Sequence, residues 1–407
     1  MLRESLLSGI EQVRISFEKF MDELARNNED RFNKEKIYQE RPIIHSLEKE
    51  YAPVNSELAK LKTNIQSLLL CFNNLRKFFL EIDSSRTKYL YLHNVLDRGL
   101  ENINGISDSI DILTGNQDPE WVYWKQGVYH SKAGEVAQLR LSLHASMVDI
   151  SEILRNKLYS RNSNFILTSA TIKVDESFDY FLNRNGLYET DNIVTDDYIS
   201  PFSYQDQVVY YQYGGTSDIT GDPSKLSDII YYIHKTFQKR TMVLFTSIKM
   251  LENVSNKIKE KSDSKDIPLF AQSKGASKPS IIKGMHMHKN ALLFGTNSFW
   301  EGVDFPGELL EILIVVKLPF GVPTDPLIKS YSNFLDSNGV NSFMNFSVPE
   351  CAIRFRQGFG RLIRTTYDSG IFISLDNRIV TKRYGEFILN NIPTDPIIFS
   401  DYSTIKK

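Results

Sequence analysis

The sequence predicts an α/β fold: a parallel sheet with helices on both faces, preceded by an α-helical bundle. Two observations point to it. Residues 1–114 carry apolar stripes at helical spacing, and from about residue 200 short continuous apolar runs alternate with helical patterns. A turn-rich break at 114–120 separates the two regimes.

Leu6, Ile10, Val13, Phe17, Phe20 and Leu24 give a first helix. Val54, Leu58, Leu61, Ile65, Leu68, Phe72, Leu75 and Phe79 give a second. Both follow the alternating three- and four-residue spacing that puts one apolar seam on a helix. Leu92, Leu96, Ile103, Ile106, Ile110 and Leu113 mark a third. The polar stretch 27–50, broken by Pro42, joins the first two. Next come two strand-like runs, 121–124 and 136–143, and a helix from about residue 151. The run 164–171, Asn-Phe-Ile-Leu-Thr-Ser-Ala-Thr, reads as a buried parallel strand ending in a small polar loop. Beyond residue 200, strands are expected at 207–211, 242–245, 291–294, 312–316 and 371–375. Helices are expected at 225–238, 249–259, 327–336 and 351–364. The expected domains are 1–118, a helical bundle; 119–199, the tail of one α/β domain; and 200–407, a second.

Composition excludes several classes. The 48 Lys and Arg balance 50 Asp and Glu, so a nucleic acid must be met by a local basic face. Cys71 and Cys351 are too few for an iron–sulfur cluster, a four-cysteine zinc site or a disulfide framework. No apolar run approaches the roughly 18 residues of a membrane span. The N-terminal residues alternate charge with apolar side chains, unlike a signal peptide. A soluble protein of a reducing compartment, the cytoplasm, is the expectation.

Strand ends carry the polar groups that suit phosphate oxygens: Thr246-Ser247 after one strand, Gly295-Thr296-Asn297 after another. In the run 351–364, helical spacing would set Arg354, Gln357, Arg361 and Arg364 on one face. Gly358 and Gly360 cost a helix interior about 1 kcal/mol each and imply a close neighbour. An arginine aimed at a transferring phosphoryl group offsets charge developing in the transition state. His286 and His288 lack a visible third ligand, so no metal site is expected there.

Several motifs occur in a fixed order: TSAT at 168–171, SPF at 200–202, LFTS at 244–247 and GTNSFWEGVDFPG at 295–307. KLPF and PTDP follow within 317–326, then QGFGRLIR at 357–364 and the run from Asp368 to Pro393. In this order they resemble the DinG-like helicases, bacterial relatives of XPD in helicase superfamily 2. The resemblance covers roughly residues 121–393. It implies a RecA-like fold for the second domain, with the tail of a first RecA-like domain before it and an arch-like role for residues 1–114.

The resemblance also assigns residues. Gln357, Arg361 and Arg364 match the motif whose arginines reach ATP phosphates. Glu301, Gly302 and Asp304 match the motif linking the nucleotide cleft to the DNA track, and Thr168, Ser169 and Thr171 the motif coupling hydrolysis to domain movement. Thr246, Ser247, Thr296 and Asn297 become DNA-phosphate contacts. Trp300, Phe299 and Trp124 become base-stacking residues. The implied partners are single-stranded DNA and a P-loop domain in the same or a separate chain, and the implied polarity is 5′→3′.

None of the 21 glycines is followed by lysine, so the P-loop signature is absent. Asp22-Glu23 and Asp175-Glu176 sit outside any buried strand end and cannot serve as Walker-B carboxylates. ATP and Mg²⁺ are therefore expected only with the missing N-terminal half. Three functions compete: the C-terminal part of an ATP-dependent DNA helicase acting in repair; a DNA-binding module or helicase-like exonuclease body without a motor; and a metabolic enzyme binding a phosphorylated compound.

Overall fold

The computed structural model describes residues 2–32, 41–130, 138–161, 164–188, 192–261, 267–272, 278–300, 305 and 307–406. These form two compact units: Met1–Asp149 with Pro323–Phe334, and Ile150–Val322 with Leu335–Lys407.

The first unit is built from α1 (Leu2–Arg26), α2 (Leu47–Tyr51), α3 (Asn55–Ile82) and α4 (Leu90–Thr114). No glycine or proline interrupts the 28 residues of α3. Asp83 ends it: its carboxylate accepts the N–H groups of Tyr89 at 2.8 Å and Thr87 at 3.3 Å, closing the turn into α4. Strands β1 (Trp121–His130) and β2 (Gln138–Met147) form an antiparallel hairpin, Trp121 opposite Met147.

The sequence grouped this hairpin with the α/β tail, but it packs on the helices. Tyr123, Leu139 and Leu141 share a core with Phe20, Leu24, Leu58, Leu61, Ile65 and Ile110. The helical stripes are therefore only partly buried: Ile10, Phe17 and Ile106 remain 45–50% exposed. Lys125 also points inward, 1% exposed, its ammonium on the Glu50 carboxylate and the Asn28 side-chain oxygen. Burial draws its pKa below the usual lysine value against the pull of Glu50.

In the second unit, short helices α5 (Ser151–Ile153), α6 (Asp179–Arg184) and α7 (Tyr204–Gln207) precede the sheet. Its strands are β3 (Val208–Tyr213), β4 (Thr241–Leu244), β5 (Leu269–Ala271), β6 (Leu292–Gly295), β7 (Ile312–Val315), β8 (Gly370–Ser374) and β9 (Pro396–Phe399). Their order is β5-β6-β4-β7-β8-β3-β9, and every pairing is parallel. Its helices are α8 (Pro223–Phe237), α9 (Ile248–Lys259), α10 (Lys278–Met287), α11 (Asn297–Trp300), α12 (Pro326–Ser337, its last residues), α13 (Val348–Phe359), α14 (Arg378–Thr381) and α15 (Tyr384–Asn390).

Burial on both faces explains the continuous apolar strands. Met242, Leu244, Leu293, Leu313 and Val315 share one core with Val348, Phe355 and Phe359 of α13. Val243, Leu292, Phe294, Ile312 and Ile314 share the other with Ile230 of α8 and Leu251 of α9.

Two expectations are overturned. The segment 164–167 forms no strand and pairs with none among the described residues, and Phe165, Ile166 and Leu167 are 40%, 90% and 44% exposed. A parallel strand needs neighbours to cover it, and the seven-stranded sheet offers this segment none. Helix α13 stops at Phe359 rather than Arg364, because the chain turns at Gly360. Arg361 and Arg364 thus leave the helical face assigned to them.

His234 of α8 is 1% exposed, and neither ring nitrogen has a hydrogen-bond partner. Burial, with a smaller push from Lys235, lowers its pKa to about 4. Below its ordinary pKa of 6.5 the unfolded chain takes up a proton that the folded one refuses, until the folded pKa is passed. Stability is therefore full above pH 6.5 and falls by about 3 kcal/mol towards pH 4. His234→Leu is expected to flatten that part of the melting-temperature profile between pH 7 and 4; parallel wild-type and variant profiles would contradict it.

Candidate functional site

The register of the sheet sets several strand ends side by side. Leu244 is level with Gly295 and Val315, and Val315 with Ser374. The residues that follow, Thr246, Thr296, Lys317 and Asp376, line one carboxyl edge, where parallel sheets bind ligands. Thr246 is exposed. Ser247 begins α9, its hydroxyl accepting the Met250 N–H at 3.4 Å. Thr296 is held from the next strand: its N–H and hydroxyl both donate to the Gln272 side-chain oxygen, at 2.9 and 2.8 Å. Gln272 is anchored through its own N–H to the Phe294 carbonyl at 2.9 Å. Asn297 opens α11.

Further along, Asp376 is 1% exposed. It accepts the Leu318 N–H at 2.9 Å and grips the Arg378 guanidinium with both oxygens, at 2.9 and 2.6 Å. That guanidinium lies 5.4 Å from the Phe320 ring centre. The pairing raises the Arg378 pKa and fixes a cation at this edge.

The arginine segment occupies the opposite edge. Arg364 follows α13 and precedes Gly370, the first residue of β8, so it lies on the amino side of the sheet. Asp368 shapes this turn: its carboxylate accepts the N–H groups of Arg364 and Thr365 at 2.7 and 2.8 Å and the Thr365 hydroxyl at 2.7 Å. Burial would raise its pKa, but these hydrogen bonds outweigh it and hold the carboxyl below its usual value. Gln207, just before β3, donates to the carbonyls of Thr365 and Asp368 at 3.1 and 2.7 Å. Gln357 is half-buried on α13 and Arg364 is exposed, whereas Arg361 is 8% exposed.

The TSAT segment lies on the surface, with Thr168 and Ser169 exposed and Thr171 half-buried. Ser169 accepts the Thr171 N–H at 3.3 Å. The residues after it are tied to α13 and to the end of α15: the Lys173 carbonyl accepts from Arg356 at 3.4 Å, and the Asp175 N–H donates to Asn391 at 3.0 Å.

The stacking assignments are corrected. Trp300 and Phe299 are 5% and 1% exposed and belong to the sheet core, leaving no ring face for a base. Trp124, 9% exposed, already stacks on His144 at 5.0 Å. Glu301, Gly302 and Asp304 lie outside the described residues. Sequence reasoning missed Gln272, which sits in no motif, and Gln207 and Asp368, which shape the arginine turn. Among the described residues no group of three or more His, Cys, Asp or Glu could hold a metal ion. No described helix is long and apolar enough to cross a membrane.

Residues 230–395 match the helicase C-terminal domain family. The chain is 32% identical over 350 residues to the 3′-5′ exonuclease DinG of Bacillus subtilis, covering 84% of this chain and 36% of that protein. It is 32% identical over 257 residues to the ATP-dependent DNA helicase DinG of Photobacterium profundum, with 62% and 37% coverage. It is 30% identical over 300 residues to the ATP-dependent DNA helicase YoaA of Haemophilus influenzae, with 73% and 44% coverage. The chain thus spans 36–44% of the length of these relatives. Its fold resembles a solved XPD helicase with a TM-score of 0.51 and 13% identity, over 97% of this chain and 64% of that one. A second XPD structure, in the apo form, gives a TM-score of 0.52 and 14% identity, with 97% and 72% coverage.

Replacing Gln272 with Met would leave the Thr296 N–H and hydroxyl without their acceptor. The expected loss is about 1–3 kcal/mol of stability by urea denaturation. An unchanged midpoint would show that water replaces the bond.

Proposed function

We propose that this chain, by sequence and fold the C-terminal region of a DinG-like, XPD-related superfamily 2 helicase, supplies the arginine side of an ATP site and part of a single-stranded DNA track. The observation that carries this reading is the division of the motif residues between two edges of one sheet. Small hydroxyl residues Thr246 and Ser247 line the carboxyl edge and suit phosphates of a DNA backbone. Thr296, 8% exposed with its N–H and hydroxyl both given to Gln272, braces that edge from within and is corrected from a phosphate contact to a supporting residue. The exposed Arg364, on a turn braced by Asp368, lies at the amino edge, where it would meet the phosphates of a nucleotide held by another domain. The residues just after the TSAT segment, Lys173 and Asp175, are hydrogen-bonded to Arg356 of α13 and to Asn391.

The chain contains no P-loop, so nucleotide turnover requires a P-loop domain in the same or a separate chain. Mg²⁺ would enter with that domain, whose hydroxyl and acidic groups hold it. The exposed apolar run Phe165-Ile166-Leu167 supports such a partner, because a parallel sheet with a free neighbouring strand would bury it. A second reading, the body of a helicase-like exonuclease, is favoured by the similarity to the 3′-5′ exonuclease DinG of Bacillus subtilis. In either case the work is on DNA, in repair, in the cytoplasm.

ATP hydrolysis by the purified chain, with and without single-stranded DNA, tests the proposal. No turnover is expected from the chain alone, with oligo(dT) binding that weakens linearly in log affinity against log salt. A P-loop domain added in trans or fused should restore DNA-stimulated turnover, and Arg364→Ala should lower it about 10³-fold. Robust turnover by the chain alone, or DNA binding indifferent to salt, would refute the reading.

A further inference from the structure

Arg361 and Arg364 are three residues apart in one motif, yet the structure treats them differently. Arg361 is 8% exposed, and both its Nε and Nη2 donate to the Trp300 carbonyl oxygen, at 2.8 and 2.5 Å. Trp300 ends α11, the single turn that begins with Asn297 directly after Thr296. A guanidinium on the last carbonyl of a helical turn satisfies an acceptor that has no intrahelical donor and sits favourably at the negative end of the turn. The indole of Trp300 is held by the same helix that leads to Arg361. A Cβ at Gly358 would lie 2.6 Å from its Cζ3, so the ring fits only because residue 358 has no side chain.

The geometry assigns Arg361 a positioning role: it clamps α11, and through it the Thr296–Asn297 turn of the DNA edge, to the end of α13, while Arg364 is the arginine that meets phosphate. This rests on the functional reading above for what the two edges bind, but not for the clamp itself. Two distinct chemistries follow. Arg361 acts through a backbone carbonyl, so its removal is felt at the carboxyl edge without any nucleotide. Arg364 acts at the amino edge, so its removal is felt only when nucleotide is turned over.

Hydrogen exchange read by mass spectrometry over residues 292–300, without DNA, measures the clamp. Arg361→Gln is expected to speed exchange of the 297–300 amides at least tenfold, Arg361→Lys to restore part of the protection, and Arg364→Gln to leave it as in wild type. Gly358→Ala, which displaces Trp300 without touching either arginine, should reproduce the Arg361→Gln pattern, and it keeps the test open if that variant folds poorly. In parallel, nucleotide-free oligo(dT) affinity should fall tenfold or more in Arg361→Gln and Gly358→Ala and stay within twofold in Arg364→Gln. Equal exchange in Arg361→Gln and wild type would overturn the clamp. Faster exchange with unchanged affinity would overturn its link to the DNA edge. If the wild-type chain binds no oligo(dT), the DNA reading fails and exchange alone decides the clamp.

Discussion

Helix α13 can lie where it does because one of its residues has no side chain. Trp300 fills the space left by Gly358, and the carbonyl of the same tryptophan receives the guanidinium of Arg361. One residue after a strand is thus fixed twice by one helix end, through its ring and through its backbone. The second unit depends on that contact, since α13 supplies Val348, Phe355 and Phe359 to the core on one face of the sheet. It also spans the distance between the edge carrying Thr296 and the edge carrying Arg364. A packing constraint of this kind transmits displacement, because close-packed interiors shift between discrete arrangements rather than deform smoothly.

Much of the α/β unit was legible in the sequence, for a physical reason. Strands buried on both faces must be apolar throughout, so the runs ending in Phe245, Phe294 and Val316 marked β4, β6 and β7 to within a residue. β5 and β9 escaped notice because they are short and lie at the sheet edges, where burial imposes less on the sequence. Both glycines of the arginine motif were expected to need a close neighbour; Gly358 has one in Trp300, whereas Gly360 meets only carbonyls of the preceding turn. Periodicity alone carried the helix past Gly360, since a pattern of side-chain spacing says nothing about where the backbone turns. Burial separated Arg361 from Arg364, and no spacing rule could have done so. Asn164–Leu167 looked like a strand because composition records the neighbours a segment is suited to, whether or not they lie beside it.

The first unit shows a different balance. Its helices were legible from their stripes, but what stabilises them was not. The hairpin contributes Tyr123, Leu139 and Leu141, and with them a charged side chain, Lys125, that reaches Glu50 and Asn28 in the interior. A buried ion pair adds little net stability over apolar residues of the same shape, but it penalises a misplaced partner heavily. Here it selects one seating of β1 against the segment that joins α1 to α3, where a purely apolar contact would tolerate sliding.

The exposed run Phe165-Ile166-Leu167 bears on the chain's behaviour in concentrated solution. An exposed apolar segment with no sheet beside it is a template for any free strand edge, including that of a second identical molecule. With no sheet covering it, this segment is open to self-association at high protein concentration. Any sheet that took up this segment, or a chaperone that shields exposed apolar chain, would suppress that self-association.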